Sequence, residues 1–127
     1  MIVTDPAKMC DAFAQTLNSR DIDSLVSLYE PDAVLRTDGS NSDLIGVSAI
    51  AKELNNLLQV AGTMTSRNNF CVTHGDLALL RNDWKFVAED GSIIASGSSA
   101  EVVRRQADGR WLYVIDHTVG AGLPSVE

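Results

Sequence analysis

The run Asp108-Gly109-Arg110-Trp111-Leu112-Tyr113-Val114-Ile115-Asp116-His117-Thr118 lies near the end of this 127-residue chain. An Asp-Gly pair between two β-rich runs marks a tight hairpin, because glycine takes the positive φ that such a turn needs. The aromatic and β-branched residues after it read as a strand. The strand therefore folds back on the run before it and closes an antiparallel meander. It finishes on an acid and a histidine side by side. Side chains alternate across a strand, so Asp116 and His117 point to opposite faces. Which of them faces inward decides the chemistry.

Working back from the hairpin, residues alternate with period 2 as far as Met64. Strands are expected at Met64 to Thr73, Leu77 to Ala88 and Ile93 to Gln106. The turns between them are His74-Gly75-Asp76 and Glu89-Asp90-Gly91-Ser92, and Gly97 marks a bulge or bend. Before Gly62 the period becomes 3.6. Asp5-Pro6 opens a helix that carries Met9, Phe13 and Leu17 to about Asn18. Asp21 caps a second helix with Ile22, Leu25, Val26, Leu28 and Tyr29 on its apolar side and Pro31 just beyond. Ala33 to Thr37 is a short strand and Asp38 to Asp43 a loop. Val47 to Val60 is a third helix with Ile50, Leu54, Leu57 and Leu58 on one face. Helices gathered early and strands late give the α+β class, with three N-terminal helices covering one face of an antiparallel sheet.

The length suits a single domain spanning 1–127. Apolar residues make up 45% of the chain, enough for a core, and 17 acids against 10 bases give a formal charge of −7. That balance argues against nucleic acid and anionic membrane surfaces as partners, since both need a basic footprint. No apolar run approaches the roughly 20 residues that span a bilayer. The N-terminus lacks the basic and apolar regions of a signal peptide. Cys10 and Cys71 stand apart in apolar surroundings and read as reduced thiols packed as small hydrophobes. The expected location is the cytoplasm.

The pattern Leu17-Asn18-Ser19-Arg20-Asp21-Ile22-Asp23-Ser24-Leu25-Val26-Ser27-Leu28-Tyr29-Glu30-Pro31-Asp32-Ala33-Val34 resembles the opening of ketosteroid-isomerase-like and SnoaL-like proteins. Gly46, Ile50 and Leu54, then Gly75 to Leu80, then the Arg104-to-Trp111 hairpin fit the rest of that pattern, so the resemblance runs from about residue 8 to 120. It implies the nuclear-transport-factor-two-like, or cystatin-like, fold. In that fold a strongly curved, mostly antiparallel sheet wraps around the three helices as a cone, with an apolar pocket on the concave side. The superfold hosts isomerases, cyclases, dehydratases and non-enzymatic modules, so it does not by itself assign a function. In ketosteroid isomerases a first-helix tyrosine and a protonated aspartate on the penultimate strand form an oxyanion hole. An aspartate after the first strand is the base. The matching positions here are Phe13, Val102 (with Glu101 adjacent) and Thr37 (with Asp38 one place later), so the isomerase triad is not reproduced in direct register. A one-residue slip, which turns each side chain to the other face, would bring Asp38 or Glu101 into place, and the strand register decides whether Glu101 or Val102 faces the pocket.

A two-residue turn at Asp108-Gly109 pairs Gln106 with Trp111, Arg104 with Tyr113, Val102 with Ile115 and Ala100 with His117. On the resemblance, that shared face lines the pocket. Trp111, Tyr113, Ile115 and His117 then look inward, and Leu112, Val114 and Asp116 outward. His117 becomes the candidate general acid or base, with Asp38 assisting. The plainer readings are a hydrogen-bonded core imidazole and a turn aspartate before Gly39. Leu80, Asn82, Trp84 and Phe86 share a face, and a tryptophan beside an asparagine suits a mostly apolar pocket with few polar fixtures. One of Arg104 and Arg105 is expected to face inward, against an acidic ligand group or a buried acid. The expected ligand-binding wall is Phe13, Leu17, Tyr29, Leu35, Thr37, Leu54, Leu58, Asn82, Trp84, Val102, Arg104, Tyr113 and Ile115. His74 and Asp76 fall short of a metal site, and neither metal nor cofactor is expected. Leu112 and Val114, with Val103 nearby, give the outer face an apolar patch, and the resemblance implies a homodimer packed through it. Two functional classes follow. One is a pocket enzyme using general acid–base chemistry on an apolar, polyketide-like or steroid-like small molecule, as an isomerase, cyclase or dehydratase. The other is a non-catalytic ligand-binding or dimerisation module.

Overall fold

The computed structural model describes residues 2–37 and 42–122. A 3-10 turn at Pro6–Lys8, opened by the Asp5 side chain accepting from the Ala7 N–H, leads into α1 (Met9–Asn18). Asp21 accepts from the Ser24 N–H and caps the short α2 (Ile22–Val26). Then come β1 (Tyr29–Arg36), a two-residue β2 (Leu44–Ile45), α3 (Val47–Leu58) and four long strands, β3 (Thr63–His74), β4 (Leu77–Val87), β5 (Ile93–Arg105) and β6 (Trp111–His117). The six strands form one sheet in the order β2-β1-β6-β5-β4-β3. All pairings are antiparallel except β1 with β6, which is parallel. The sheet curls without closing, and β2 and β3 are its edges. α1 packs on β3 and α2, and α3 packs on β1 and α2. The class is therefore α+β, with three helices in the concave face of a curved sheet.

The second helix stops at Val26, so Leu28 and Tyr29 are not on its apolar side; Tyr29 begins β1. The strand tolerates Pro31 because its pairing with β6 shifts register between Tyr29 and Val34, where a missing N–H breaks no regular ladder. Gly97 is no bulge: it pairs directly with Trp84. A Cβ at Gly97 would fall 2.9 Å from Trp84 Cζ2, so glycine is there to let the indole lie on the strand. The core joins Met9, Leu17, Leu25, Leu28, Leu35, Ile50, Leu54, Leu80, Val103 and Tyr113.

The decisive departure lies in β6. Gln106 N–H donates to the Arg110 carbonyl and Gly109 (φ +89°) completes a wider turn than the two-residue one expected. Arg105 therefore pairs with Trp111, Arg104 with Leu112 and Val103 with Tyr113. The next pair is Val102 with Ile115, so Val114 is an extra, bulged residue. A bulge of one residue reverses the facing of everything beyond it. Tyr113 still looks inward, but Asp116 follows it there, while Ile115 is 46% exposed on the outside. The expected inward positions of Ile115 and His117, and the outward one of Asp116, are thus exchanged.

The outer apolar patch is also different from the one expected. Val103 lies fully buried in the core and Leu112 is buried too, so neither forms an exposed patch. The outer face carries instead an unbroken cross-strand row, Val72, Leu79, Val102, Ile115, Val34 and Ile45, running from β3 to β2. Arg104 and Arg105 are both exposed, and neither enters the interior: Arg104 pairs with Glu30 at 3.0 Å and Arg105 with Asp76.

Candidate functional site

Between the helices and the concave sheet lies a cavity of about 210 Å³. Its apolar wall comes from Phe13 of α1, Leu54 and Leu57 of α3, Leu35 of β1, Met64 of β3, Trp84 and Phe86 of β4, and Tyr113 of β6. Its polar fixtures are Glu53, Ser66, Asn82, Ser99, Glu101, Asp116 and the Tyr29 hydroxyl, with Thr37 and Thr118 also lining it. Trp84 is held in place by its Nε1–H donating to the Thr118 carbonyl at 2.7 Å. Tyr29 and Tyr113 stack at 5.0 Å between ring centroids, and Phe13 meets Tyr113 edge-on at 6.1 Å.

Two carboxyl groups stand side by side in this wall. Glu101 and Asp116 are direct cross-strand partners on β5 and β6, and are 4% and 5% exposed. Directly opposed side chains lie about 5 Å apart at Cβ. The Tyr29 hydroxyl donates to Asp116 Oδ2 at 2.6 Å. Ser99 Oγ donates to Glu101 Oε1 at 2.6 Å, and the Cys10 thiol donates to Oε2 at 3.5 Å. The Tyr113 hydroxyl lies 4.0 Å from that sulfur. Burial, and then the neighbouring Asp116 charge, push the Glu101 carboxyl up to about 8. Burial pushes Asp116 up to about 6 against the opposing hydrogen bond from Tyr29. Burial holds the Cys10 thiol and both tyrosine hydroxyls above their ordinary values, so all three stay protonated. Two acids this close lose their protons in two steps that belong to the pair. The pair therefore keeps a proton to higher pH than free carboxyl groups do, which sets a base and an acid on adjacent strands.

Of the residues expected to bind ligand, Phe13, Tyr29, Leu35, Thr37, Leu54, Asn82, Trp84 and Tyr113 line the cavity. Leu17 is fully buried in the core, Leu58 is half-buried beside it, and neither lines the cavity. Val102 and Ile115 are on the outer face and Arg104 is at the exposed sheet end. His117 does not line the cavity. It is half-buried opposite Ala100 and Arg36, with Gly120 against its ring. Asp38 lies outside the described residues. The residues leave open whether Glu101 or Val102 faces inward; the structure turns Glu101 inward and Val102 outward, and brings Asp116, expected on the outer face, to the cavity. A signal was present: Ser99 and Glu101 occupy alternate positions in a strand otherwise rich in small and apolar residues.

Comparison with known proteins agrees with this architecture. The SnoaL-like domain family profile matches residues 10–114. No curated protein matches the sequence. Among solved structures, the fold is similar to that of a Thiobacillus denitrificans protein named for the calcium/calmodulin-dependent protein kinase type II association domain. The TM-score is 0.77 at 18% identity, covering 92% of this chain and 95% of that one. It is also similar to a ketosteroid isomerase-like protein from Erwinia carotovora atroseptica, with a TM-score of 0.67 at 21% identity over 86% and 88% of the two chains. A domain of unknown function with a cystatin-like fold from Nostoc punctiforme gives a TM-score of 0.75 at 13% identity over 87% and 72%. At these identities the structures speak for the fold alone, while the profile match over residues 10–114 carries the family: the chain belongs to the SnoaL-like domain family.

Proposed function

We propose that this protein moves a proton on a small apolar molecule held in the cavity, as a cofactor-independent isomerase, cyclase or lyase. The observation that carries the reading is the Glu101–Asp116 pair: two buried carboxyl groups, cross-strand partners, both on the cavity wall. Paired acids whose environments separate their affinities divide into a base and an acid. Asp116, oriented by the Tyr29 hydroxyl, takes a proton from the substrate. Glu101, still protonated, gives one to a second substrate atom. Return of the proton from Asp116 to Glu101 across the adjacent strands resets the pair. Phe13 supplies no hydroxyl, and the Tyr29 hydroxyl on β1 is committed to orienting Asp116. The cavity is smaller than the roughly 300–1,000 Å³ of drug-sized ligand sites. That favours a molecule of one or two rings over a four-ring steroid.

The test is α-proton exchange in D2O, followed by NMR, on a neutral and a basic bicyclic ketone, 2-tetralone and 3-quinuclidinone. The expected result is acceleration of at least one by the protein, reduced by about 100-fold or more in Asp116→Asn. Tight binding of either ketone with no acceleration over carboxylate buffer overturns the catalytic reading and leaves a ligand-binding module. We further propose that two copies pack through the convex face, on the strength of its apolar row. We also propose a cytoplasmic location, the compartment that keeps thiols such as Cys10 and Cys71 reduced.

A further inference from the structure

The cavity has a charge bias that proton transfer alone does not require. Among the described residues three acids, Glu53, Glu101 and Asp116, line it, and no lysine, arginine or histidine does. The groups that face the acid pair are Cys10 from α1, Tyr29 from β1, Ser99 from β5 and Tyr113 from β6, while Glu53 from α3 lines the same cavity. None of them is a cation. A carboxylate taken out of water without an opposite charge is costly, and buried acids in folded proteins are normally paired. The apolar wall adds five aromatic side chains, Phe13, Tyr29, Trp84, Phe86 and Tyr113, whose ring faces attract cations. An independent feature points the same way. Asn82 lines this cavity at 7% exposure, and its Oδ1 is buried with no hydrogen-bond partner among the described residues. A buried acceptor without a donor is destabilising until a bound group supplies one.

We propose that the natural ligand is a small apolar amine, bound as its ammonium, with N–H groups directed to the Asp116 and Asn82 oxygens and its hydrocarbon against the aromatic wall. This rests on the cavity being the ligand site and goes beyond it by fixing the ligand's charge. The same inventory rejects anions: among the described lining residues a carboxylate or phosphate ester meets three acids and no basic side chain.

The experiment compares three probes of one bicyclic skeleton, 2-aminoindane, 2-indanol and indane-2-carboxylate, titrated calorimetrically into the full chain near pH 7. The amine is expected to bind at least about ten-fold more tightly than the alcohol, and the carboxylate not to bind. Amine binding is expected to release protons, seen as a heat that depends on the buffer, because a bound cation favours loss of the pair's remaining proton. Asp116→Asn should erase the amine's advantage and leave the alcohol within about two-fold. Should Asp116→Asn not fold, Glu53→Gln on the α3 wall is the second variant, expected to lower amine affinity and spare the alcohol. If the alcohol binds as tightly as the amine, or the advantage survives both substitutions, the amine proposal is overturned while the pocket reading stands. If none of the three binds, both fall.

Discussion

Glu101 makes the stability of this protein depend on pH in the direction opposite to most surface acids. Its folded-state affinity for the proton, up to about 8, exceeds the ordinary 4.5 of an unfolded glutamate. Between those values the native chain holds a proton that the unfolded chain has released, so stability falls as pH rises. Asp116, raised from 3.8 to about 6, adds to the fall over the lower part of that window. The contribution is complete below the unfolded values and is lost as pH climbs through the folded ones. Glu101→Gln removes the larger part. Its stability relative to the parent, measured by urea denaturation, is expected to improve by roughly 1–3 kcal/mol on going from about pH 5.5 to about pH 8.5. A parent and variant with parallel pH profiles would show that Glu101 ionises freely in the fold. The surface acids behave conventionally. Asp83, hydrogen-bonded by Asn69 and Ser98, is held down to about 2 and stays charged throughout this window.

At the scale of elements, the helices and the antiparallel meander are legible because each carries its own period and punctuation. Asp5-Pro6, Asp21 and Gly62 bound the helices, and Gly75, Gly91 and Gly109 sit at the strand turns with φ of +59°, +89° and +89°. What the residues do not disclose is the facing of β6. Trp111-Leu112-Tyr113-Val114-Ile115 is apolar throughout, so no alternation marks its inner side, and a single bulge at Val114 changes the face without changing the pattern. The candidate site depended on that one residue, which is why Phe13, Tyr29, Asn82 and Trp84 line the cavity as expected while His117 and Ile115 do not. Gly97 illustrates a second limit: a strand glycine signals either a bulge or a close approach, and only the packing tells them apart. Here it is close approach, and the indole over it is tied to the Thr118 carbonyl in the cavity wall. Gly97→Ala must displace the Trp84 ring, which is expected to cost roughly 1–3 kcal/mol and to shift the tryptophan emission. An alanine variant with parental melting and emission would mean that the strand yields instead of the ring.

Across the whole molecule the middle of the sheet is inverted relative to an ordinary half-buried one. The concave side carries Asn82, Ser99, Glu101 and Asp116, and the convex side carries Val72, Leu79, Val102, Ile115, Val34 and Ile45 in one cross-strand row. An antiparallel sheet normally turns apolar residues to the core and polar ones to water. The inversion makes sense if the inside holds a site and the outside is covered. Of the row, Val72, Leu79, Ile115 and Ile45 are exposed in the single chain, and scattered singly they need no explanation. Aligned across all six strands they make a contiguous stripe, which marks an interaction surface. A two-fold axis through the convex face would bury the stripe of one copy against the same stripe of the other, the self-complementary arrangement of a closed dimer. Light scattering on a sizing column is then expected to give the mass of two chains. Leu79→Lys and Ile115→Lys, at the centre of the stripe and away from the cavity, should each shift the mass towards one chain. The melting temperature of the parent should rise with protein concentration, and that of the lysine variants should not. A parent that elutes as one chain across a hundred-fold range of concentration, with a melting temperature independent of it, would remove the dimer.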